Sequence, residues 1–542
     1  MVRLPVVFLE PPLGAVGFPG GPSFKYLQGN VPKDVESMFE ASFKWFEGFE
    51  SRVLGRLKAL YPDVEFTPYY ARSIDDLEYF LVKEGDAVGY VVIDLQGPSG
   101  MVQRVLTTGK PIVLIAESLG GGGDYLLYNR LIEQYPVVAV VTRSIDSDYA
   151  LGKVKYLVAL ARLRETHAVI VSNRDLSNWL ASISRNIGVR FTLMSGNEFV
   201  SRYYSKVSDE EARPIAEAWV KGAYQYPDPD RQWPEVLKSA RLYIAINRVL
   251  EDYKANAISI DCLGLRGVTN VVLDAWPCLP YMQLWLDGKY VPMCEADANS
   301  LIVALIGKYL LNTAGSATDP VTDELTGEVT YYHCYLPINP KPGIRLRYSI
   351  IPSHLGTRYA AVNVEYPIGS ELTAVGIDAV NKVMHIHVST VTGNELSLPA
   401  CGTKVIAKSN VKTLARKWGA GWHRVPLLGN HKEELKEMAK LIGLKVIEED
   451  SRLTPIQLVE FKPFPTNQPT PTSHLRYWYI VYLRAPIANH HIIQPILNCL
   501  VCCCGVSDCQ GPIKGCWCHA PYGMARGNGP CLNARNLLYQ FS

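Results

Sequence analysis

Residues 88–100 read Val-Gly-Tyr-Val-Val-Ile-Asp-Leu-Gln-Gly-Pro-Ser-Gly, an apolar run that ends in turn-forming residues. Pro111–Ala116 and Val137–Val141 have the same form, and helical patterns such as Tyr125–Gln134 lie between such runs. Buried strands that alternate with helices indicate a parallel sheet covered by helices on both faces. We therefore predict an N-terminal Rossmann-like α/β domain over residues 1–155.

Four consecutive glycines, Gly120–Gly123, follow the second of these runs and precede Asp124. Ligands of open α/β sheets bind beyond the carboxyl ends of strands, so this segment could line a site. A phosphate loop would need Gly-Lys-Ser/Thr after the glycines, and the chain has none there. We interpret the segment as a flexible loop.

A second α/β unit follows over residues 156–325. His167–Asn173 and Ala257–Gly264 are apolar runs that predict buried strands, and Trp233–Asp252 has apolar residues at helical spacing. Ser300–Leu311 is almost wholly apolar, which predicts a buried helix. The pattern predicts a second Rossmann-like domain with a parallel sheet.

The pattern changes after residue 326, where long helical stretches give way to alternating β segments. Turns with Gly, Pro and Asn separate these segments, which indicates an antiparallel sheet, and we predict a small β-barrel domain over residues 326–450. One helix, Lys432–Ile442, and one strand, Leu444–Asp450, close it. The β segments are 343–350, 359–367, 372–378, 382–390 and 402–409.

Residues 451–542 form an irregular, Cys-rich tail without periodicity. Eight of the thirteen cysteines lie there, and acidic residues are nearly absent. A Cys-x-x-Cys at Cys499 and Cys502 leaves a zinc site open, but the spacings match no zinc module. We favour a non-native or disordered extension, because a sequence without pattern cannot bury enough apolar surface to offset its ordering entropy.

Composition restricts the function. The net charge of +2 gives no reason to expect nucleic acid or an acidic membrane as partner. No apolar run is long enough to span a bilayer, and the first residues do not form a signal peptide. The five cysteines before the tail are scattered, as in reduced cytoplasmic enzymes. We expect a cytoplasmic globular enzyme with no nucleic-acid or membrane partner.

The strongest local motif is Val291–Ser300, Val-Pro-Met-Cys-Glu-Ala-Asp-Ala-Asn-Ser, in which a short strand leads directly into the buried helix. Glu295 and Asp297 therefore lie at a helix N-terminus, where the dipole and the free N–H groups favour anions. Asp297 taken alone is best explained as an N-cap. Two carboxylates at a strand end also suit a hard divalent cation.

Three more residues support a metal site: Asp319, His333 and His423. A single histidine near an apolar strand is usually a satisfied core or surface residue. Carboxylates and histidines at loop-proximal positions in two domains instead predict an interdomain metal site with mixed oxygen and nitrogen ligands. Such ligands suit Mn²⁺, with Mg²⁺ or Co²⁺ as alternatives. His385 and His387 point to one face of a predicted strand and could pair on a metal, but we favour an exposed strand face.

The segment from Ile258 to Asp450 resembles the C-terminal half of the L-fucose/L-arabinose isomerase superfamily, in particular its divergent archaeal and bacterial fucose-isomerase-like members. The N-terminal half is similar in layout, so the resemblance covers about 450 residues and ends where the tail begins. The motifs that carry it are AWPCLPYMQLWLDGKYVPMCEAD at 275–297, ATDP at 317–320, YYHCYLP at 331–337, LPACGTKVIAKS at 398–409 and GWHRVPLLGN at 421–430.

The resemblance implies a metal-dependent aldose–ketose isomerase, an intramolecular oxidoreductase of carbohydrate metabolism, with a small-molecule sugar as substrate. It places the metal-binding carboxylates at Glu295 and Asp319 and the metal-binding histidines at His333 and His423, with Asp297 as the competing ligand. It also implies a homo-oligomer, a hexamer or trimer, in which the Gly120–Gly123 loop of a neighbouring subunit restricts water.

Two departures from the family pattern concern the sugar. Cys401-Gly-Thr-Lys stands where the family has Cys-Arg-Thr-Gln, and His354 lies in a segment that lacks the family's glutamate. Both leave the sugar open, within a fucose- or arabinose-like class.

The chemistry expected of the site is enediol proton transfer. A divalent cation can chelate the carbonyl and hydroxyl oxygens of an open-chain aldose, while a carboxylate moves the proton between C2 and C1. We assign Glu295 and Asp319 to ligation and acid–base catalysis, and His333 and His423 to ligation and positioning. The alternatives are another metal-dependent carbonyl enzyme on this scaffold, an epimerase or aldolase, or a sugar-binding protein with a vestigial site.

Overall fold

The computed structural model describes residues 2–10, 48–97, 100–266, 271–353, 358–395 and 401–451. They belong to a compact unit that spans Met1–Ser451. The predictions for His354 and for the tail after residue 451 lie outside the described residues. Two parallel sheets are followed by an antiparallel one, so the predicted α/β class is confirmed, while the Rossmann-like and barrel descriptions stay predictions.

The first sheet contains β1 (Val2–Leu9), β2 (Val64–Ala71), β3 (Tyr90–Asp94), β4 (Ile112–Glu117) and β5 (Val137–Thr142). Its strands are parallel in the order β2-β1-β3-β4-β5. Neighbouring residues of one strand point to opposite faces, so Phe8 joins the larger hydrophobic core while Leu9 joins a smaller core on the other side. Both faces are thus covered, which explains the continuous apolar runs. The helices of this region are α1 (Phe49–Leu60), α2 (Ile74–Lys83), α3 (Met101–Leu106), α4 (Gly122–Leu127), α5 (Asn129–Gln134) and α6 (Asp148–Leu151).

The second sheet contains β6 (His167–Val171), β7 (Arg190–Met194), β8 (Ala257–Ile260) and β9 (Val291–Cys294), parallel in the order β7-β6-β8-β9. The strand order reverses between β6 and β8, and ligands of open α/β sheets bind outside the carboxyl ends at such a reversal. The helices are α7 (Lys155–Glu165), α8 (Ser177–Ile187), α9 (Gly196–Arg202), α10 (Asp209–Gly222), α11 (Pro229–Asp252), α12 (Cys262–Arg266) and α13 (Cys278–Asp287), with 3₁₀ turns at Gly152–Val154 and Tyr204–Lys206.

The third region holds β10 (Asp319–Asp323), β11 (Glu328–His333), β12 (Tyr348–Ser353), β13 (Arg358–Val364), β14 (Glu371–Asp378), β15 (Val383–Glu395), β16 (Thr403–Lys408), β17 (Val425–Leu428) and β18 (Lys445–Glu448), with helices α15 (Val411–Lys417) and α16 (Lys432–Leu441). Six strands form a sheet in the order β10-β11-β16-β15-β14-β17, and β18 is added as a seventh strand, parallel to β15. The β12–β13 pair forms a sheet of its own, so the predicted β segments divide between two sheets.

Helix α14 (Ala298–Ile306) joins the second and third regions, since it packs against β9 and β14. All of its residues except Asn299 are buried, as the apolar sequence predicts. A π-helical turn, Gly307–Leu311, continues it. A single antiparallel bridge between Thr318 and Arg424 links the chain just before β10 to the chain just before β17. Among the described helices, none combines the length and the apolarity needed to cross a membrane.

Candidate metal centre

The candidate site lies where the ends of four strands meet. Glu295 and Asp297 follow β9, Asp319 is the first residue of β10, His333 is the last residue of β11, and His423 lies two residues before β17. The helix α14 and the bridge between the β10 and β17 approaches hold these strand ends side by side. Residues that are far apart in the sequence are therefore brought to one point.

Glu295 lies between the two histidines. Its Oε1 is 3.4 Å from Nε2 of His333, and its Oε2 is 3.5 Å from Nε2 of His423. One ligand atom from each of the three residues lies within 4.8 Å of the other two. Asp319 is adjacent, with Oδ1 3.3 Å from the same nitrogen of His423. Glu295, His333 and His423 thus form a group that can hold a metal ion, and Asp319 lies beside it.

The state of His333 supports a cation at this point. Its side chain is buried, and neither ring nitrogen has a hydrogen-bond partner among the residues that the structure describes. A buried polar group without a partner costs free energy, about 1–3 kcal/mol. The ring directs Nε2 at the Glu295 carboxylate from a distance longer than a good hydrogen bond. A cation between the two groups would satisfy both, so the residues fit a divalent metal.

The pKa values of Glu295 and His423 differ strongly from the ordinary values of these side chains. Burial disfavours the ionised form of Glu295, but contacts with His333 and His423 override it and hold the pKa of this carboxyl well below its usual value. Burial likewise opposes protonation of His423, yet Asp297, Asp319 and Glu295 raise its pKa to about 12. The carboxylates therefore create a site for positive charge, and a metal ion would replace the proton that they favour on His423.

Asp297 has two roles in the structure. It is the N-cap of α14, with Oδ1 accepting from the backbone N–H of Ser300 at 3.1 Å. Its Oδ2 accepts from the hydroxyl of Ser300 at 2.5 Å and lies 2.8 Å from Nδ1 of His423. Because a carboxylate on Nδ1 fixes the tautomer of the ring, Nε2 is left as the ligand atom of His423. The geometry favours Asp297 as a cap and a partner of Nδ1, while Asp319 is the second carboxylate that faces the same ring nitrogen, Nε2, as Glu295.

The backbone that carries Glu295 is in an uncommon conformation. Glu295 and Ala296 have φ angles of 64° and 53°, and the N–H of Asp297 donates to the carbonyl of Cys294 at 3.1 Å. Both central residues of this tight turn are thus left-handed, a conformation that glycine usually provides and that costs other residues about 1–2 kcal/mol each. Such strain is retained where surrounding contacts fix it, and it directs the Glu295 side chain toward the two histidines.

A buried charge network is centred on Arg424, the residue that follows His423. Arg424 is fully buried, and its guanidinium donates to Glu449, with Nη2 2.6 Å from Oε1. Glu449 also lies 3.1 Å from Nδ1 of His385 and 2.8 Å from Nδ1 of His387. The predicted exposed strand face at these two histidines is wrong, because both are buried against Glu449. They take no part in the candidate metal group.

The site opens into a cavity of about 550 Å³. One wall is formed by Glu295, Asp297 and His423, and the other by residues beyond the carboxyl ends of β6 and β8 and on α8: Arg174, Leu176, Trp179, Asp261, Leu263 and Gly264. This second wall is absent from the predicted site residues. The signal that could have found it is the polar sequence that directly follows each buried strand of the second sheet.

The Gly120–Gly123 segment leads from a turn into a helix. The N–H groups of Leu119 and Gly120 donate to Oε2 of Glu117, and α4 begins at Gly122. A Cβ on Gly121 would lie 2.6 Å from the Asp94 carboxyl, so the absence of a side chain permits close packing there. The prediction of a loop is therefore wrong for Gly122 and Gly123, which begin α4, while Gly120 and Gly121 lie in the turn that precedes the helix.

Comparison with known proteins assigns the chain to no family. No protein-family model matches it, and no curated protein matches it either. The resemblance to L-fucose/L-arabinose isomerases therefore stays a prediction that rests on short motifs. What the site does has to be inferred from its geometry.

Proposed function

We propose that the protein is a metal-dependent aldose–ketose isomerase that acts on an open-chain, fucose- or arabinose-like sugar. The observation that carries the proposal is the convergence of Glu295, His333 and His423 on one point, with the Asp319 carboxylate beside them. Two imidazoles and two carboxylates are the groups that this reaction requires, and two of the four, Glu295 and His423, line the cavity. The sequence motifs that resemble the isomerase superfamily coincide with these residues.

The metal in this proposal is Mn²⁺, with Mg²⁺ or Co²⁺ as substitutes. Mixed nitrogen and oxygen donors suit such ions, and a second carboxylate allows more ligands than the three that hold a catalytic zinc. When bound, the ion supplies a Lewis acid that polarises the sugar carbonyl and a template that orients the adjacent hydroxyl. Glu295, His333 and His423 are the residues that would hold it.

Glu295 and Asp319 have different roles in the proposed reaction. Glu295 is ionised because the histidines stabilise its charge, so it serves as an anionic ligand and as a proton acceptor. Asp319 is partly exposed and contacts the site through one oxygen, which leaves its other oxygen for a substrate proton. In the proposed reaction Asp319 takes the proton from C2 and returns it to C1 through an enediol, with Glu295 as the second carboxylate for the hydroxyl protons.

The cavity supports a substrate of sugar size. Its volume of about 550 Å³ lies within the range of small-molecule sites. Trp179 offers an apolar surface, while Arg174 and Asp261 offer polar groups on the wall beyond β6 and β8. An extended polyol with its carbonyl end at Glu295 would contact both walls.

A homo-oligomer, a hexamer or trimer, is part of the proposal. Leu119, Leu126 and Leu127 expose 60%, 76% and 59% of their surface on or beside α4. Exposed leucines that cluster in this way are typical of surfaces that associate. This part is tested by light scattering of the purified protein.

The decisive experiment is a screen of aldoses with the purified protein in the presence and absence of Mn²⁺. Ketose formation that needs the metal, with deuterium from the solvent appearing at C1, supports the isomerase. An epimeric aldose indicates an epimerase, and carbon–carbon cleavage products indicate an aldolase. Sugar binding without conversion and without bound metal would contradict all three enzymes and leave a binding protein.

A further inference from the structure

The left-handed turn at Glu295 and Ala296 needs an external support. Neither residue is a glycine, so the positive φ angles impose local backbone strain on both. The turn closes through one backbone hydrogen bond, from Asp297 to Cys294. The position of the Glu295 carboxylate depends on this turn, and a relaxed turn would move the carboxylate away from the two histidines.

Arg174 provides such a support. Its Nη2 donates to the backbone carbonyl of Glu295 at 3.1 Å, and its Nε donates to Oδ2 of Asp261 at 2.8 Å. The guanidinium is planar and its donors have a fixed spacing, so fixing one donor on Asp261 directs the other at the carbonyl. Arg174 therefore connects the end of β8 to the turn that follows β9.

Asp261 is itself held firmly. It is 4% exposed, and its Oδ2 also accepts from the hydroxyl of Ser172 at 2.8 Å. Its Oδ1 accepts from the N–H of Gly264 at 3.1 Å, and a Cβ on Gly264 would lie 2.5 Å from this carboxylate. The hydroxyl of Ser172 accepts in turn from the backbone N–H of Arg174 at 3.1 Å. The Asp261 carboxylate that anchors the guanidinium is thus fixed from both sides of the crevice, by Ser172 after β6 and by Gly264 after β8.

We infer that Arg174 is a positioning residue of the metal centre, which holds the Glu295 turn in the conformation that ligates the ion. The inference rests on the proposed function only in taking Glu295 as a metal ligand. Arg174 cannot bind the cation, since its guanidinium is a permanent cation with no acceptor atom. It acts through the backbone of Glu295, and its side chain also forms part of the cavity wall.

The experiment measures Mn²⁺ binding to the full-length, metal-free protein by calorimetric titration. Arg174→Lys keeps the positive charge but loses the two-donor geometry. We expect it to raise the dissociation constant for Mn²⁺ about 10-fold to 100-fold. Arg185→Lys is the matched control, because Arg185 lies exposed on α8 and bonds only Ser182 among the described residues. The control should bind Mn²⁺ like the wild type.

A double-mutant cycle with Ala296→Gly identifies the route of the effect. Glycine adopts the left-handed conformation without strain, so one of the two strained positions is relieved and the turn needs the guanidinium less. The loss caused by Arg174→Lys should therefore be clearly smaller when Ala296→Gly is also present. Equal losses in the two backgrounds, or no loss from Arg174→Lys, would overturn the inference.

Two further results keep the test separate from folding and from catalysis. Asp261→Asn retains Arg174 but weakens its anchor, so it should lower Mn²⁺ affinity by a smaller factor than Arg174→Lys does. If Arg174→Lys does not fold, an unchanged Mn²⁺ affinity in Asp261→Asn overturns the inference. Wild-type protein that binds Mn²⁺ but converts no sugar would refute the isomerase and leave the role of Arg174 standing. Wild-type protein that does not bind Mn²⁺ would refute the inference itself.

Discussion

The Oδ2 atom of Asp297 lies 2.8 Å from Nδ1 of His423, so the residue that caps α14 also orients a residue of the metal group. The cap belongs to the second sheet region and the histidine to the antiparallel region. A single carboxylate thereby couples the start of a buried helix to the geometry of the centre. The predictions that follow depend on this coupling and on the contacts around it.

Asp297→Asn should separate the two roles of this residue. Asparagine is as good an N-cap as aspartate, so the midpoint of urea unfolding should change little. Loss of the anionic partner of His423 should weaken Mn²⁺ binding about 10-fold to 100-fold, measured by titration of metal-free protein. Asp228→Asn, at the N-cap of α11, is the control and should leave Mn²⁺ binding unchanged. A large loss of stability with normal binding would mean that Asp297 is only a cap.

Glu295→Gln should abolish metal binding and sugar conversion while the fold remains. The amide keeps the shape of the side chain but is not an anionic ligand, and activity should fall by at least about 10²–10⁴-fold. Metal content is measured by atomic emission and folding by circular dichroism. A variant with wild-type turnover would refute the mechanism, and an unfolded variant would make Glu295 a structural residue.

Asp319→Asn should mainly lower kcat. In the proposed mechanism this carboxylate moves the substrate proton, so kcat should fall about 10²–10⁴-fold. Metal binding should change less than in Glu295→Gln, because Asp319 lies beside the three-residue group. Asp323→Asn, at the exposed end of the same strand, is the matched control and should retain full activity. Equal kcat in the two variants would exclude Asp319 as the base.

The stability contributed by His387 should depend on pH. Burial lowers the pKa of His387 below its ordinary value of 6.5, with Glu449 opposing and Arg424 adding to the shift. Below pH 6.5 the unfolded chain therefore binds more protons at this position than the folded one, so stability at this residue is lost as pH falls. The difference in unfolding free energy between wild type and His387→Gln should shrink from about pH 7 to about pH 5, measured by urea titration. A difference that grows on acidification would contradict the assignment.

Removal of the Cys-rich tail should leave the described fold intact if the chain ends at Ser451. Asp450 and Ser451 accept bonds from Lys432 and Lys417, so a chain of this length keeps the last contacts of the described fold. Mn²⁺ content and activity should match the full-length protein.

A chain that ends at Glu448 provides the contrast. It lacks Glu449 and leaves the fully buried Arg424 without its carboxylate partner. Removing one partner of a buried ion pair costs about 3–5 kcal/mol, which a fall in the thermal midpoint would reveal. Failure of the chain that ends at Ser451 to fold would show that the tail belongs to the structure.

Much of the fold could be predicted from the sequence because the signals are local. The continuous apolar runs at β3, β4 and β6 are consistent with strands covered on both faces, and the wholly apolar α14 is consistent with a buried helix. The proximity of Glu295 and His333 could also be predicted, because residues at strand ends meet where the sheets meet. The strand and helix predictions need only the period of the sequence, whereas the proximity of Glu295 and His333 also draws on the resemblance to the isomerase superfamily.

Contacts between distant elements could not be predicted in the same way. Period 2 shows that His385 and His387 share a face but not what covers it, and the carboxylate that does so is Glu449, far along the chain. Arg174 was missed because its role lies in a bond to a backbone carbonyl, for which no side-chain pattern exists. The left-handed turn at Glu295 is equally hidden, since neither of its central residues is a glycine.

The parallel pairing of β18 with β15 has a consequence for how the protein is made. Glu449 directly follows β18, and Arg424 depends on it for charge compensation next to His423. The ribosome delivers the N-terminal end first, so the two parallel sheets can form while the chain is still being translated. The candidate centre cannot be completed until the segment around Glu449 has left the exit tunnel, so the proposed ion would be captured only after both parallel sheets have been translated.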